Sequence, residues 1–387
     1  MIKVAVLGFG IVGSGVVQVL DENADIISSK AGGDITVKYI LDVVDFPNSP
    51  WKNLLIKDFS VIESDPEVRV VVETIGGIGI AYEFTKRCLA AGKSVVTSNK
   101  ELVAKKGYEL LELARENNTN YLFEASVGGG VPIIRPLTQC LAANRIDEIF
   151  GIMNGTTNYI LTQMIECSES FDNALKDAQK LGFAEQNPTA DIEGIDAQNK
   201  ISILSDLCFG KHVNPESLKT RGITGVSLED VEIASRAGYK IKLIGRAKRM
   251  PEGKIAAYVA PHFVSSNMLI SNVSGVMNAI VVRGNAVGET MFYGPGAGSL
   301  PTASAVVADV VDAAKHIDTR KWVGWEAEED GFVTDAALIE SRWYIRAANT
   351  DSTDEDNVLW TEQSMNAIEV QKLTDGMDVK AIYRILE

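Results

Sequence analysis

Residues 2–20 read IKVAVLGFGIVGSGVVQVL, and the change of character at Gly8 decides the fold. The run before it, residues 2–7, is β-branched and almost wholly apolar, as a strand buried on both faces of a parallel sheet must be. Gly8, Gly10 and Gly13 follow in GxGxxG spacing. That spacing gives a tight turn, room for a pyrophosphate near the backbone, and a close helix–strand contact. Next, VVQVLDENADII has helical apolar spacing and ITVKYIL (35–41) supplies a second strand. A bare GxGxxG says little. Set between a strand and a helix at the chain start, it predicts a dinucleotide-binding βαβ unit.

The alternation continues. VRVVVETIG (68–76) predicts a strand with its turn, and EFTKRCLAAG a helix ending at Gly92. KSVVTSNK (93–100) predicts a short strand, and a helix through ELLELARENN leads to NYLFEASVGGG (120–130). Ligands of open parallel sheets gather at the carboxyl ends of strands, so Lys100 stands at the expected mouth. A lysine opening a helix is electrostatically disfavoured there, which argues for a functional reason. Asp42 closes the second strand. A carboxylate there can accept both ribose hydroxyls of NAD and repel the 2′-phosphate of NADP; it can equally cap the turn that follows. No arginine follows it closely, and Lys57 is a basic residue that a loop can bring round.

From residue 131 the pattern changes. VPIIRPLTQCLAA predicts a helix leaving the first domain, and RIDEIFGIM a strand. The small polar residues 154–158 predict a turn and then a helix start, and KIKLIGRAK, KIAAYVAPHFV and NAIVVRGN the strands of a mixed sheet open at one face to a partner. MFYGPGAGS predicts a glycine-rich loop before a long helix rich in alanine and valine, which returns to the nucleotide domain. Between these lies ADIEGIDAQNK (190–200), where Asp191, Glu193 and Asp196 precede Lys200. Asp196 and Lys200 are i, i+4 neighbours on a helix. The simple reading is a surface ion pair contributing about 0.3–0.5 kcal/mol. The chemical reading is a site whose carboxylates hold a cationic substrate while the lysine moves a proton.

Composition narrows the classes. At 387 residues there is chain enough for two domains and a small third, and 46% hydrophobic with 23% charged residues is ordinary for a globular protein. A net charge of −15 disfavours nucleic acid as a partner. No apolar run is long enough for a membrane span, and the N-terminus shows no cleavage-site signature, so no membrane partner and a cytoplasmic location are expected. Cys88, Cys140, Cys167 and Cys208 form no CxxC pair and read as reduced, mostly buried thiols. His212, His262 and His316 have no metal-ligand spacing, and there is no GxSxG elbow. Zinc chemistry and Ser-His-Asp hydrolysis are unsupported.

Seven motifs in order, GFGIVGSGVV, VVVETIGG, GKSVVTSNKELVA, EASVGGGVPIIRPL, NGTTNYIL, GFAEQNPTADIEGIDAQNKISIL and MFYGPGAGSLPTASAVVAD, resemble the homoserine dehydrogenase family over residues 1 to about 320. The resemblance implies an α/β protein: a Rossmann-type nucleotide-binding domain at 1–130, completed by a helix at 302–320, and a mixed α+β substrate-binding and dimerisation domain at 131–301. It also implies a short C-terminal β-rich extension at 335–387, resembling a reduced ACT-type region. Within it SRWYIRAAN and VKAIYRILE resemble the first and last strands of such a domain, with the acidic DSTDEDN between.

The activity implied is the reversible NAD(P)H-dependent reduction of L-aspartate 4-semialdehyde to L-homoserine, in threonine and methionine biosynthesis, by a homodimer. Lys200 is the implied proton donor or acceptor, and Lys100 completes the site. Thr156, Gly182, Glu185, Asp191 and Asp196 position the substrate, whose α-ammonium needs anionic partners. Gly8, Gly10, Ile11, Val12, Gly13, Asp42, Ile75, Gly76, Thr97 and Lys100 hold the cofactor, with NAD(H) expected over NADP(H). Carbonyls of Glu124, Val127, Gly129 and Val131 match a loop that binds sodium or potassium; by its residues alone the loop is equally a glycine-rich hinge. Physics agrees on the lysine: hydride arriving at an aldehyde carbon builds alkoxide charge that an ammonium stabilises and protonates.

Two other classes compete. A cysteine-acylating semialdehyde dehydrogenase needs a thiol in a glycine-rich or strand-end motif, and none of the four cysteines has one. A nucleotide-binding regulator without turnover has no use for Lys100 and Lys200.

Overall fold

The computed structural model describes residues 1–321, 323–348 and 357–387. The chain forms two compact units. The first is Met1–Ala143 with Asp206–Pro215 and Gly294–Ala327; the second is Asn144–Ser205 with Glu216–Tyr293 and Glu328–Glu387.

Among the described residues the first unit holds a six-stranded sheet: β1 (Ile2–Leu7), β2 (Ile35–Leu41), β3 (Leu55–Ile56), β4 (Val68–Glu73), β5 (Ser94–Thr97) and β6 (Tyr121–Leu122). All neighbours pair in parallel, in the order β3-β2-β1-β4-β5-β6. The order reverses between β1 and β4, where doubly wound sheets bind nucleotides. Val4 to Leu7 are fully buried, which accounts for the unbroken apolar run. The helix Ser299–Lys315 closes this core, setting Ala303, Val306 and Val310 against Val4, Val16 and Val72. Its small residues allow close approach to the helix Ile11–Glu22: a Cβ on Gly15 would lie 2.7 Å from Ser299 Oγ.

The helix expected over 131–143 is a correction. Only a short π-helical stretch, Pro136–Cys140, forms near its centre, and the segment belongs to the first unit. Pro132 and Pro136 lack N–H donors, and the amides of Ile133, Ile134 and Arg135 are taken by the Glu124 carboxylate.

The second unit is built on β7 (Ile146–Ile152), β8 (Lys219–Thr220), β9 (Tyr239–Arg249), β10 (Ile255–Ser265), β11 (Met277–Gly284), β12 (Gly288–Pro295), β13 (Trp343–Ala347), β14 (Val358–Trp360) and β15 (Val379–Leu386). Their order is β12-β11-β7-β9-β10-β15-β13-β14, with β8 beside β10. The sheet is mixed: β10 pairs antiparallel with β9 and parallel with β15. Strand β12 was expected as a loop; Met291, Phe292 and Tyr293 instead run along a sheet edge. The C-terminal extension supplies β13, β14 and β15 and also a helix, Ala367–Leu373, opened by an Asn366–Glu369 capping box. Residues 351–356 of DSTDEDN lie outside the described residues.

The cysteines also depart from expectation. None is in a disulfide, but only Cys88 is buried; Cys140 and Cys167 are exposed at the ends of helical segments. No described helix is long and apolar enough to cross a membrane.

Candidate active site

At the switch point the glycines have separate duties. Gly8 has φ of +90° and a Cβ there would lie 2.9 Å from Thr74 O, so only glycine fits. A Cβ on Gly13 would meet Gly8 O at 2.0 Å, whereas one on Gly10 would face open space. At Gly10, then, the backbone is open to a ligand. The helix Ile11–Glu22 begins with no side-chain cap and no acidic residue in its first turn, leaving N–H groups for an anion. Ile11 is exposed and Val12 half-buried at this opening. These features fit the pyrophosphate of a dinucleotide.

Asp42 is tied to the same loop. Its Oδ2 accepts from Phe9 N at 2.6 Å and its Oδ1 from Val44 N at 2.8 Å. The turn-capping role is therefore occupied, while the residue stays half-exposed at the end of β2. Lys57 reaches this turn, with Nζ 2.8 Å from Val44 O and 2.9 Å from Asp45 Oδ1.

Across the switch point stands Glu73, a buried carboxylate at the end of β4 that sequence reasoning did not single out. It accepts from Ile75 N (2.7 Å), Gly76 N (3.3 Å) and Thr97 Oγ1 (2.6 Å). Burial pushes its carboxyl above the usual range, and these hydrogen bonds oppose the rise. Asn99 extends the network: its N–H donates to Thr97 Oγ1, its amide donates to Gly77 O, and its Oδ1 caps the helix Lys100–Glu116. Glu73 and Asn99 thus bring Ile75, Gly76, Thr97 and the half-buried Lys100 to one strand-end edge. A carboxylate closing an apolar strand was the available signal.

The 124–131 loop is fixed by a second buried cluster. Glu124 accepts three backbone amides, at 2.7, 2.8 and 2.8 Å from Ile133, Ile134 and Arg135. Asp309 Oδ2 accepts from Glu124 N at 2.7 Å and its Oδ1 from the Arg135 guanidinium at 2.6 Å. Gly129 has φ of +58° and abuts Gly296. Among the described residues, no backbone amide donates to the carbonyls of Val127, Gly129 or Val131, and all three residues are buried. Buried carbonyls without donors suit a cation held by oxygen. No cluster of His, Cys, Asp or Glu suited to a metal occurs among the described residues.

In the second unit the opening lysine is not on the surface. Lys200 and Asp196 are 7% and 4% exposed, which removes the simple surface-pair reading. Lys200 Nζ donates to Asp196 Oδ2 at 2.8 Å and to Met153 O at 2.7 Å. Asn154 donates to the same Asp196 Oδ2 at 2.9 Å and to Asp191 Oδ1 at 2.6 Å. Asn154 also caps the helix Gly155–Glu166 by accepting from Thr157 N, so Thr156, Thr157 and Asn158 form its first turn. The expected helix start is present, and the residues expected as a turn before it already form its first turn. Thr156 Oγ1 donates to Phe183 O at 2.6 Å, anchoring the GFAE segment beside Gly182, which has φ of +76°. Glu185 follows on that segment with its side chain exposed.

Asn158 and Lys242 form a deeper layer that the sequence reading missed. Asn158 Nδ2 donates to Val273 O and Met277 O, and Lys242 Nζ donates to Asn158 Oδ1 (3.0 Å) and Val273 O (2.7 Å). Burial, and then Lys240, pull the Lys242 ammonium down to about 8.

Residues 132–311 match the homoserine dehydrogenase family, and residues 8–124 match the homoserine dehydrogenase NAD binding domain. The homoserine dehydrogenase of Bacillus subtilis is 44% identical over 323 residues, spanning 82% of this chain and 73% of that protein. The chain belongs to the homoserine dehydrogenase family. A crystal structure of a homoserine dehydrogenase from Thiobacillus denitrificans has a TM-score of 0.90 at 36% identity, covering 100% of this chain and 98% of that one. A hyperthermophilic archaeal homoserine dehydrogenase in complex with NADPH has a TM-score of 0.67 at 30% identity, covering 81% and 97%. A member of this family is an NAD(P)-dependent oxidoreductase that acts on a CH–OH group of a small molecule.

Proposed function

We propose that this homoserine dehydrogenase reversibly reduces L-aspartate 4-semialdehyde to L-homoserine, with Lys200 giving or taking the proton at the reacting oxygen. The observation that carries this is a buried lysine whose Nζ is fixed by Met153 O and Asp196 Oδ2. Asp196 supplies the counter-charge beside it, at 2.8 Å. A charged lysine at the carbonyl oxygen stabilises developing alkoxide and then protonates it, each role contributing on the order of 10²-fold or more. The reduced nicotinamide, when bound, supplies the hydride. Asp191, steadied by Asn154, and Glu185, on the segment anchored by Thr156 and turned at Gly182, face the substrate ammonium as counter-charges.

The glycine loop (Gly8, Gly10, Ile11, Val12, Gly13) carries the pyrophosphate; Ile75, Gly76, Thr97 and Lys100 border the rest of the cofactor. Asp42 supports a preference for NAD(H): two carboxylates, Asp42 and Asp45, stand at the end of β2 against one ammonium, Lys57, already paired with Asp45. The carbonyls of Glu124, Val127, Gly129 and Val131 would hold sodium or potassium, which orders the loop. The first unit serves the nucleotide and the second the substrate and a homodimer in the cytoplasm. The edge strand β12, with Tyr293 55% exposed, supports such an assembly.

The test is an assay of NADH and NADPH oxidation with L-aspartate 4-semialdehyde, with homoserine measured as product. Oxidation of neither cofactor would reject the reading.

A further inference from the structure

The sheet of the second unit carries a cavity of about 240 Å³ that the reaction above does not use. It is bounded by β10, β15, the 219–221 segment, Ala336–Ala337 and the start of the helix Ala367–Leu373. Three cations line it, Lys219, Arg221 and Arg384, and no Asp or Glu does. In a chain of net charge −15 such a lining runs against the average surface.

Among the described residues Arg221 and Arg384 have no carboxylate in an ion pair, while Lys219 has one, Asp335, at 2.7 Å. The donors of Arg384 go to neutral oxygens, Ile339 O (2.6 Å), Ala336 O (3.0 Å) and Ser341 Oγ (3.3 Å), and its guanidinium lies 4.3 Å from the Trp343 ring centre. Arg221 lies over the Tyr383 ring at 5.1 Å, and no carboxylate pairs with it among the described residues. Asp230, the anion in its neighbourhood, is taken by Arg346 and by the Tyr344 hydroxyl, each at 2.8 Å. Glu148 is likewise taken by Arg246 and Arg283. Burial, aided by the nearby Arg246 and Arg221, holds the Arg384 guanidinium below its usual range. Most of the rest of the wall is apolar, with Pro261, Ala337, Trp343 and Ile382, beside the hydroxyl-bearing Thr220 and Tyr258.

We infer that this cavity binds a small organic carboxylate, its head on Arg221 and its short apolar body against Trp343 and Ile382. A guanidinium presents paired donors that match a carboxylate, and an apolar wall selects against inorganic anions.

The same wall touches the turn that carries the substrate carboxylates. Ile223 N donates to Ile192 O at 2.8 Å and Gln198 Nε2 to Leu218 O at 3.0 Å. A Cβ on Gly222 would lie 2.0 Å from Ile192 O, and one on Gly194 3.0 Å from Thr220 Cγ2. With no slack there, a shift of residues 219–222 displaces the turn between Asp191 and Asp196. Occupancy therefore changes KM for the semialdehyde; this coupling, unlike the binding, rests on the proposed role of those carboxylates.

The probe is 3-methylbutanoate, titrated calorimetrically into the full chain, with 3-methylbutanamide and inorganic phosphate as uncharged and non-organic counterparts. Saturable binding at about 1 mM or tighter is expected, a modest demand for a ligand of this size. The amide, phosphate, and the Arg221→Met variant should each bind at least tenfold more weakly. Ala337→Phe, which fills the cavity and leaves every charge in place, should lose binding equally. Saturating probe should move KM for aspartate semialdehyde at least twofold in the wild type and not in Ala337→Phe. Absent binding, or binding that survives both variants, overturns the site. Absent binding together with a dimer that Arg221→Met dissociates also overturns it, making a second copy's carboxylate the occupant. Binding with an unchanged KM overturns the coupling.

Discussion

Two buried clusters, one in each unit, combine carboxylates with a cation, and their differences are chemical. In the first unit Glu124 is saturated by three backbone amides and Arg135 bridges it to Asp309. In the second, Lys200 donates to the Met153 carbonyl and to the Asp196 carboxylate, and Asn154 joins Asp196 to Asp191. Arginine keeps its proton under all working conditions, whereas lysine gives it up when its surroundings favour that. Backbone amides converging on a carboxylate fix the path of a loop. A lysine held between a carbonyl and a carboxylate has the placement that the proposed proton transfer needs.

The sharpest way to break this contrast is at Lys200. Lys200→Ala should lower kcat by about 10²-fold or more while cofactor binding, read by nicotinamide fluorescence, survives. Lys200→Arg should fail almost as badly, since it retains the charge but cannot release the proton. An arginine variant with more than about a tenth of wild-type turnover would reduce Lys200 to an electrostatic anchor.

The first cluster should respond in stability. Arg135→Met leaves Glu124 and Asp309 buried without their cation, and removing one member of a buried pair costs about 3–5 kcal/mol. Urea denaturation measures it. A loss below about 1 kcal/mol would mean that the amides alone hold the loop.

Lys242 sharpens the comparison from a third side, because among the described residues both its acceptors are neutral. Its folded value of about 8 lies below the ordinary 10.5, so the folded state binds fewer protons than the unfolded one between those limits. Below about pH 8 both states are charged and burial of the ammonium opposes folding. As pH rises toward 10 that penalty fades. The stability of wild type relative to Lys242→Met should therefore rise between pH 7.5 and 10, by about 2–3 kcal/mol at most. A difference that stays flat with pH would place the Lys242 ammonium at its ordinary value.

What the sequence revealed followed from local pattern. An apolar run meeting GxGxxG, and strands alternating with helices, carried the first sheet and the place of Lys100 at its edge. What it hid depended on distant partners or on patterns that mislead locally. Glu124 and Asp309 are 185 positions apart, and nothing near either announces the other. Lys242 sits in KIKL, whose alternation mimics a strand with one wet face, yet its ammonium is buried. NGTTN has the composition of a turn, and the Asn154 cap moves the expected helix start back into it. Strand β12 is bracketed by glycines, Gly288 and Gly294, which disguised an edge strand as a loop. The pairing of Asp196 with Lys200 was visible as spacing, but its burial came from tertiary structure.

Asp42 joins features of both clusters and gives the smallest expected effect. Like Glu124 it accepts backbone amides, from Phe9 and Val44; like the Lys200 cluster it stands where we propose that a ligand is read. A carboxylate facing a 2′-phosphate costs about 1 kcal/mol when screened by water and several times that when partly buried. Lys57, engaged by Asp45 and Val44 O, offsets only part of this. The wild type should therefore favour NAD(H) on kcat/KM, by about tenfold for each 1.4 kcal/mol of difference. Asp42→Arg should turn the ratio toward NADP(H), and should also loosen the glycine loop, raising KM for both cofactors. Measuring both cofactors at saturating semialdehyde separates the two roles. A wild-type preference for NADPH would leave Asp42 only its hold on Phe9 and Val44, and would make Lys57 the group that reads the phosphate.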